Sequence, residues 1–197
     1  VKKEWVFKVP YVAPSQWKGA LRSAMVRELV NEAPLPEEFA QRRFRMAVLF
    51  GDEKGENPGN LSGLAEYLDN RGGLQAGKIY RQLVQEHFSW ESSALLSHHK
   101  GILHFYPTYF DRIGLEVINP HDRETGSGKQ PIYFECVPAG DDSKGDFALL
   151  YVPLGGPDKS FDRAERQAKN DFKALSKGIK AMMTSCGFGA KTSSGFG

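Results

Sequence analysis

The sequence predicts an α+β protein with an antiparallel sheet, because helices, then a run of strands, then a helix follow one another along the chain. Up to about residue 88, apolar residues recur at three- and four-residue spacing. From residue 101 the pattern changes to short segments rich in β-branched and aromatic residues. Helical spacing returns from about residue 160 to residue 186.

The chain starts on VKKEWVFKVPYV, which reads as the end of a strand. In PSQWKGALRSAMVRELVNE, Trp17, Leu21, Met25 and Leu29 recur at i, i+4 and form an apolar stripe. Ser15, behind Pro14, is the expected N-cap. Lys18, Arg22 and Arg27 lie off the stripe. PEEFAQRRFRMAVLFG predicts a second helix, opened by Pro36, with acids in its first turn and Gly51 as the stop. After the polar loop DEKGENPGN, the segments LSGLAEYLDN and AGKIYRQLVQEHF predict two further short helices.

GILHFYPTYF, GLEVINP, PIYFECVPAG and DFALLYVPL predict strands. GDDSKG reads as a hairpin loop between the last two, and HDRETGSGKQ as a mobile loop between the second and third. In the final helix Phe161, Ala164, Ala168, Phe172, Leu175, Ile179 and Met182 step by three or four, so this face is expected to pack. Gly187 takes the position just past the helix end.

A net charge of +2 excludes a strongly basic protein, though not local basic patches. Cys136 and Cys186 are far apart, which points to neither a disulfide framework nor a zinc site. A reducing, cytoplasmic compartment fits that usage. No apolar run approaches the roughly 20 residues that span a bilayer, so no membrane is expected. Residues 1–197 read as one domain whose two ends look cut from a longer chain.

The chain closes on GFGAKTSSGFG, four glycines in eleven positions with Lys191, Thr192, Ser193 and Ser194 between them. A Walker A loop needs glycine before the lysine and a helix after it. Here Ala190 precedes Lys191, and the segment follows a helix, at the wrong end of its dipole. Two readings stand side by side: a helix cap with a tail, and a loop whose bare backbone and hydroxyls contact successive phosphates. His98, His99 and His104 lack a carboxylate or cysteine to complete a metal set, so no metal site is predicted. Phe105, Tyr106, Tyr109 and Phe110 read as core, with base stacking as the alternative; Trp17 is read the same way.

Three of these segments resemble the RAMP superfamily of CRISPR proteins. PYVAPSQWKGALRSA resembles its P-x-I/V-P-x-S-x-K-G-x-L-R segment, LFG (49–51) its following L-F-G, and GFGAKTSSGFG its closing glycine-rich loop. GILHFYPTYFDRIGLEVINPHD with PIYFECVPAG is similar to backbone subunits of the type III branch. The resemblance implies a ferredoxin-like core, related to the RNA-recognition module, with helical and loop insertions. It implies a guide-RNA-binding backbone subunit of a type III effector complex, whose partners are guide RNA, target RNA and other CRISPR effector subunits. Lys18, Arg22, Gly187, Gly189, Lys191, Thr192, Ser193 and Gly195 are then the expected RNA contacts. HDRETGSGKQ lies where the family carries a thumb hairpin, so His121, Arg123 and Lys129 join them.

The family's catalytic aspartate lies on an early loop that this sequence does not show. Asp122, beside His121, is the candidate for acid-base or Mg2+-assisted cleavage if the chain is an endoribonuclease acting on target RNA or on the guide precursor. Otherwise no cofactor is expected. An unrelated phosphate-binding α+β enzyme is the remaining alternative.

Overall fold

A computed structural model describes residues 1–32, 35–53, 56–57, 60–88, 100–140, 143–153, 161–190 and 192. Along the chain run β1 (Tyr11–Val12), α1 (Pro14–Glu32), α2 (Pro36–Phe50), β2 (Glu56–Asn57), β3 (Asn60–Leu61) and α3 (Gly63–Phe88). Then come β4 (Leu103–Phe105), β5 (Thr108–Tyr109), β6 (Gly114–Ile118), β7 (Ile132–Cys136), β8 (Leu149–Tyr151) and α4 (Phe161–Ala181), with a π-helical turn over Met182–Cys186. The strands pair two by two, β1 with β5, β2 with β3, β4 with β8 and β6 with β7. Helices with small antiparallel sheets make the chain α+β, as the sequence predicts. The chain divides into two compact units, Val1–Pro14 with Phe105–Ala148, and Ser15–His104 with Leu149–Gly197.

In the helical unit, the α1 stripe is buried as its spacing requires: Trp17, Leu21, Met25 and Leu29 all face the core. Each such apolar side chain contributes roughly 1.5–3 kcal/mol. The helix begins on Pro14 rather than behind Ser15, since proline's fixed φ suits the first helical position and its missing N–H is not needed there. α2 starts at Pro36, and Gly51 (φ 85°) ends it with its N–H donated to the Ala47 carbonyl at 2.8 Å. The two helices predicted after it are one element broken at Gly73, whose φ of 78° is outside the helical region.

Two features lock the end of α2. Gly101 crosses it so closely that a Cβ there would lie 2.3 Å from the Phe50 carbonyl carbon. Arg43, 1% exposed, donates to Glu53 through Nε (3.0 Å) and Nη2 (2.8 Å), and to Asp69 through Nη1. Its guanidinium also lies 4.0 Å above the Tyr80 ring. Burial alone would lower the Arg43 pKa, but Glu53 and Asp69 hold it well above its usual value, so the group stays charged. This ion cluster joins α2, the turn after Gly51 and α3.

α4 differs from the predicted face. Its buried line is Asp171, Leu175, Gly178 and Met182, while Phe172 is 73% exposed. Asp171 is drawn inward by the Tyr151 hydroxyl (2.9 Å) and Arg45 (3.3 Å). At Gly178 a Cβ would sit 2.5 Å from Met25 Cγ, so α1 and α4 meet there at close range.

In the other unit, VKKEWVFKVPYV closes on a strand, β1 (Tyr11–Val12), as the sequence predicts, but a tight turn precedes it. The Glu4 carboxylate accepts from the Val6 and Phe7 N–H groups (2.8 and 2.7 Å), which folds the chain back until Lys3 bridges Pro10. Asp141 and Asp142 of GDDSKG lie outside the described residues, and the strands flanking the segment pair elsewhere instead of with each other: β7 with β6 and β8 with β4. Pro138, just past β7, lacks the N–H that would extend a ladder. Tyr106 and Tyr109 are half exposed instead of core: Thr108 takes the inward position of β5 and donates to the Asp146 carbonyl at 2.9 Å. HDRETGSGKQ is a hydrogen-bonded hairpin end, with His121 bridged to Gly128 and the Lys129 N–H donated to Pro120 at 2.7 Å.

Candidate nucleic-acid interface

The outer side of α1 carries an exposed ridge of Ser15, Gly19, Ser23 and Arg27, spaced four apart. Lys18 and Arg22 are half-buried beside it. A mid-helix glycine loses roughly 0.5–1 kcal/mol relative to alanine. Among the described residues close packing does not explain Gly19, because a Cβ there would meet none of their atoms within 4 Å. The small residues leave a shallow track on which an incoming backbone can lie close to the helix.

Of the two cations beside the track, Arg22 also has work inside the chain. Its Nη2 donates to the carbonyls of Phe50 (3.0 Å) and Gly51 (3.4 Å), and its guanidinium lies 5.4 Å above the Phe50 ring. These are the carbonyls that α2 leaves unsatisfied at its C-terminus. Burial, and then the Arg22 charge, hold the Lys18 ammonium below its ordinary pKa. Among the described residues no carboxylate is paired with Lys18, so an anion on the track would meet it first.

The glycine-rich segment starts against the same helix. The Phe188 ring lies 4.4 Å from the Trp17 ring, tilted by 45°. Gly187 (φ 70°) and Gly189 (φ 90°) turn the chain on either side of it, and Thr192 is exposed. Trp17 is therefore a core residue that seats this segment. Lys191, Ser193 and Gly195 lie outside the described residues, as do His98 and His99. His104 points outward on β4.

His121, Asp122, Arg123 and Lys129 stand on the hairpin end between β6 and β7, in the other unit. Asp122 Oδ1 accepts from the N–H groups of Glu124 (2.9 Å) and Thr125 (3.1 Å), while Oδ2 pairs with Lys129 Nζ at 3.0 Å. Lys129, then the two backbone donors, hold its pKa below the usual carboxylate value. The carboxylate thus organises the turn. Among the described residues no group of three His, Cys, Asp or Glu side chains is placed to hold a metal ion, and no helix is long and apolar enough to cross a membrane.

A cavity of about 400 Å³ between α1, α2 and α4 is lined by Arg42, Arg45, Lys173 and Lys177. Its charge is largely spent internally: Arg42 pairs with Glu32 (3.6 Å), Arg45 with Asp171 (3.3 Å) and Lys177 with Glu28 (3.2 Å).

Spacing alone shows neither the Arg22 cap nor the Trp17–Phe188 contact. The one hint was that the three segments occur together. Through these contacts WKGALR, LFG and the start of the glycine-rich segment meet at one place. No curated protein matches the sequence. The family model described as RAMP superfamily matches residues 6–197, and the chain belongs to that superfamily of CRISPR-associated proteins.

Proposed function

We propose that the chain is a guide-RNA-binding backbone subunit of a type III CRISPR interference complex, working with target RNA and other effector subunits. It holds the guide by its sugar-phosphate backbone, so that the bases stay free to pair. Guides vary in sequence, and phosphate contacts bind them without reading it. The observation that carries this reading is Gly19: a helix glycine, exposed, which among the described residues has open space above it and a lysine at its side that pairs with no carboxylate. The seating of Phe188 on Trp17 supports it, since it starts the hydroxyl-rich segment at the same helix. The β6–β7 hairpin end, with Arg123 and Lys129 exposed, fits the thumb that separates guide from target.

Lys18→Glu and Lys191→Glu test this reading. Each should weaken single-stranded RNA binding by the same factor for unrelated sequences. Each should also lower the slope of log affinity against log salt by about one. Unchanged affinity in both variants would overturn the assignment. An endoribonuclease built on Asp122 is the second possibility, and it requires that Asp122→Ala abolish cleavage of target RNA or guide precursor while RNA binding is kept.

A further inference from the structure

We propose that the turn over Lys3–Pro10 is a base-stacking finger for single-stranded RNA. Trp5, Val6 and Phe7 are 84%, 69% and 80% exposed at the tip. At 150–250 Å² per aromatic side chain, the two rings alone leave on the order of 250–400 Å² of apolar surface in water, about the size of the largest patch on a typical monomer, which is often functional. The exposure is imposed by construction. The Glu4 carboxylate holds the Val6 and Phe7 N–H groups, Glu4 N–H donates to Val9 (2.8 Å), and Lys8 N–H donates to Glu4 (3.1 Å). Lys8 closes the turn at φ 57°, a left-handed conformation that a lysine adopts only when its surroundings impose it.

Cations alternate with rings along this stretch. Lys8 Nζ lies 4.5 Å above the Trp5 ring and Lys2 Nζ 5.3 Å above Tyr11. Tyr11 in turn stacks on the half-exposed Tyr109 at 5.8 Å. Two carboxylates of this unit are engaged, Glu4 by the turn and Glu135 by Lys3 at 2.7 Å. Exposed aromatic faces with lysines between them suit a polyanion that offers a flat base at every step. A protein partner fits less well, because lysine is depleted at protein interfaces. Stacking tolerates any base, as binding to variable RNA requires.

This inference rests on the RNA-binding reading, and the test separates the two. The full chain, Trp5→Ala/Phe7→Ala, Trp5→Phe and Lys8→Gly are titrated with a short oligouridylate and with the same strand carrying abasic sites. The double variant should bind oligouridylate more weakly, by roughly 5- to 150-fold for each base no longer stacked. It should bind the abasic strand as the unchanged chain does. Trp5→Phe should keep most of the affinity, which distinguishes lost stacking from lost folding. Lys8→Gly should lower the salt slope and keep the preference for bases. If the double variant binds like the unchanged chain while Lys18→Glu still weakens binding, the finger is wrong and the α1 track stands. If the double variant leaves RNA affinity intact but abolishes self-association, the tip docks on protein and the stacking proposal falls. If the unchanged chain binds neither strand, both readings fall.

Discussion

Replacing Gly19 with alanine should move stability and RNA affinity in opposite directions. Gly19 lies inside α1, its φ is not in the left-handed region, and a Cβ would meet nothing within 4 Å among the described residues. The methyl group therefore adds no strain and lowers the backbone entropy lost on folding, for a gain of roughly 0.5–1 kcal/mol. In a chain of this size the thermal midpoint shifts by about 2–4 °C per kcal/mol, so a rise of about 1–4 °C is expected. If an RNA backbone lies on the ridge, the same methyl occupies its space, and Gly19→Leu occupies more. Affinity should then fall about tenfold for each 1.4 kcal/mol of lost contact, with leucine worse than alanine. Thermal melts followed by circular dichroism, together with filter binding at fixed salt, read both quantities on the same samples. A more stable Gly19→Ala protein with unchanged affinity, and a Gly19→Leu protein that also binds normally, would refute the track.

The remaining predictions concern groups that hold this surface in place. Arg43→Ala strands the buried Glu53 carboxylate and takes from the half-buried Asp69 one of its two arginine partners, and should destabilise by about 3–5 kcal/mol, lowering the melting midpoint by roughly 6–20 °C. Asp69→Asn gives a pH-dependent loss. Burial pushes the Asp69 pKa up, but Arg43 and Arg81 outweigh it and hold the folded value below the ordinary one. Its contribution is complete above about pH 4, the usual aspartate range, and disappears as pH falls through the folded value. Denaturant titrations should accordingly show a wild-type advantage that is constant near neutrality and shrinks below about pH 4. Asp122→Ala removes a turn organiser, so hydrogen exchange of the Glu124 and Thr125 amides should speed up. Loss of RNA cleavage with intact binding would instead assign Asp122 to catalysis.

Where a signal was local, the residues announced the outcome. Pro36 and Gly51 bound α2 because proline suits a first turn and glycine accepts a positive φ, whatever surrounds them. The α1 stripe reads correctly because one helix has one buried face. Phe172 misled for the complementary reason: α4 carries both Phe172 and the polar line through Asp171, and only partners on β8 and α2 turn Asp171 inward. The GDDSKG loop misled because strand choice depends on which edges are available, and β7 is already paired with β6. Trp5, Val6 and Phe7 read as strand, yet the Glu4 side chain competes for their N–H groups and makes a turn.

By itself the sequence determined the class of the fold, most helix limits, and three short segments that together point to one superfamily. Each of those depends on neighbours within a turn or two of the chain, which the order of residues records. Only the tertiary structure decided why the segments belong together. Arg22 reaches 28 residues along the chain to Phe50, and Trp17 meets Phe188. Contacts of that reach exist only after the core has formed, because burial, not spacing, brings such partners within a few ångströms of each other.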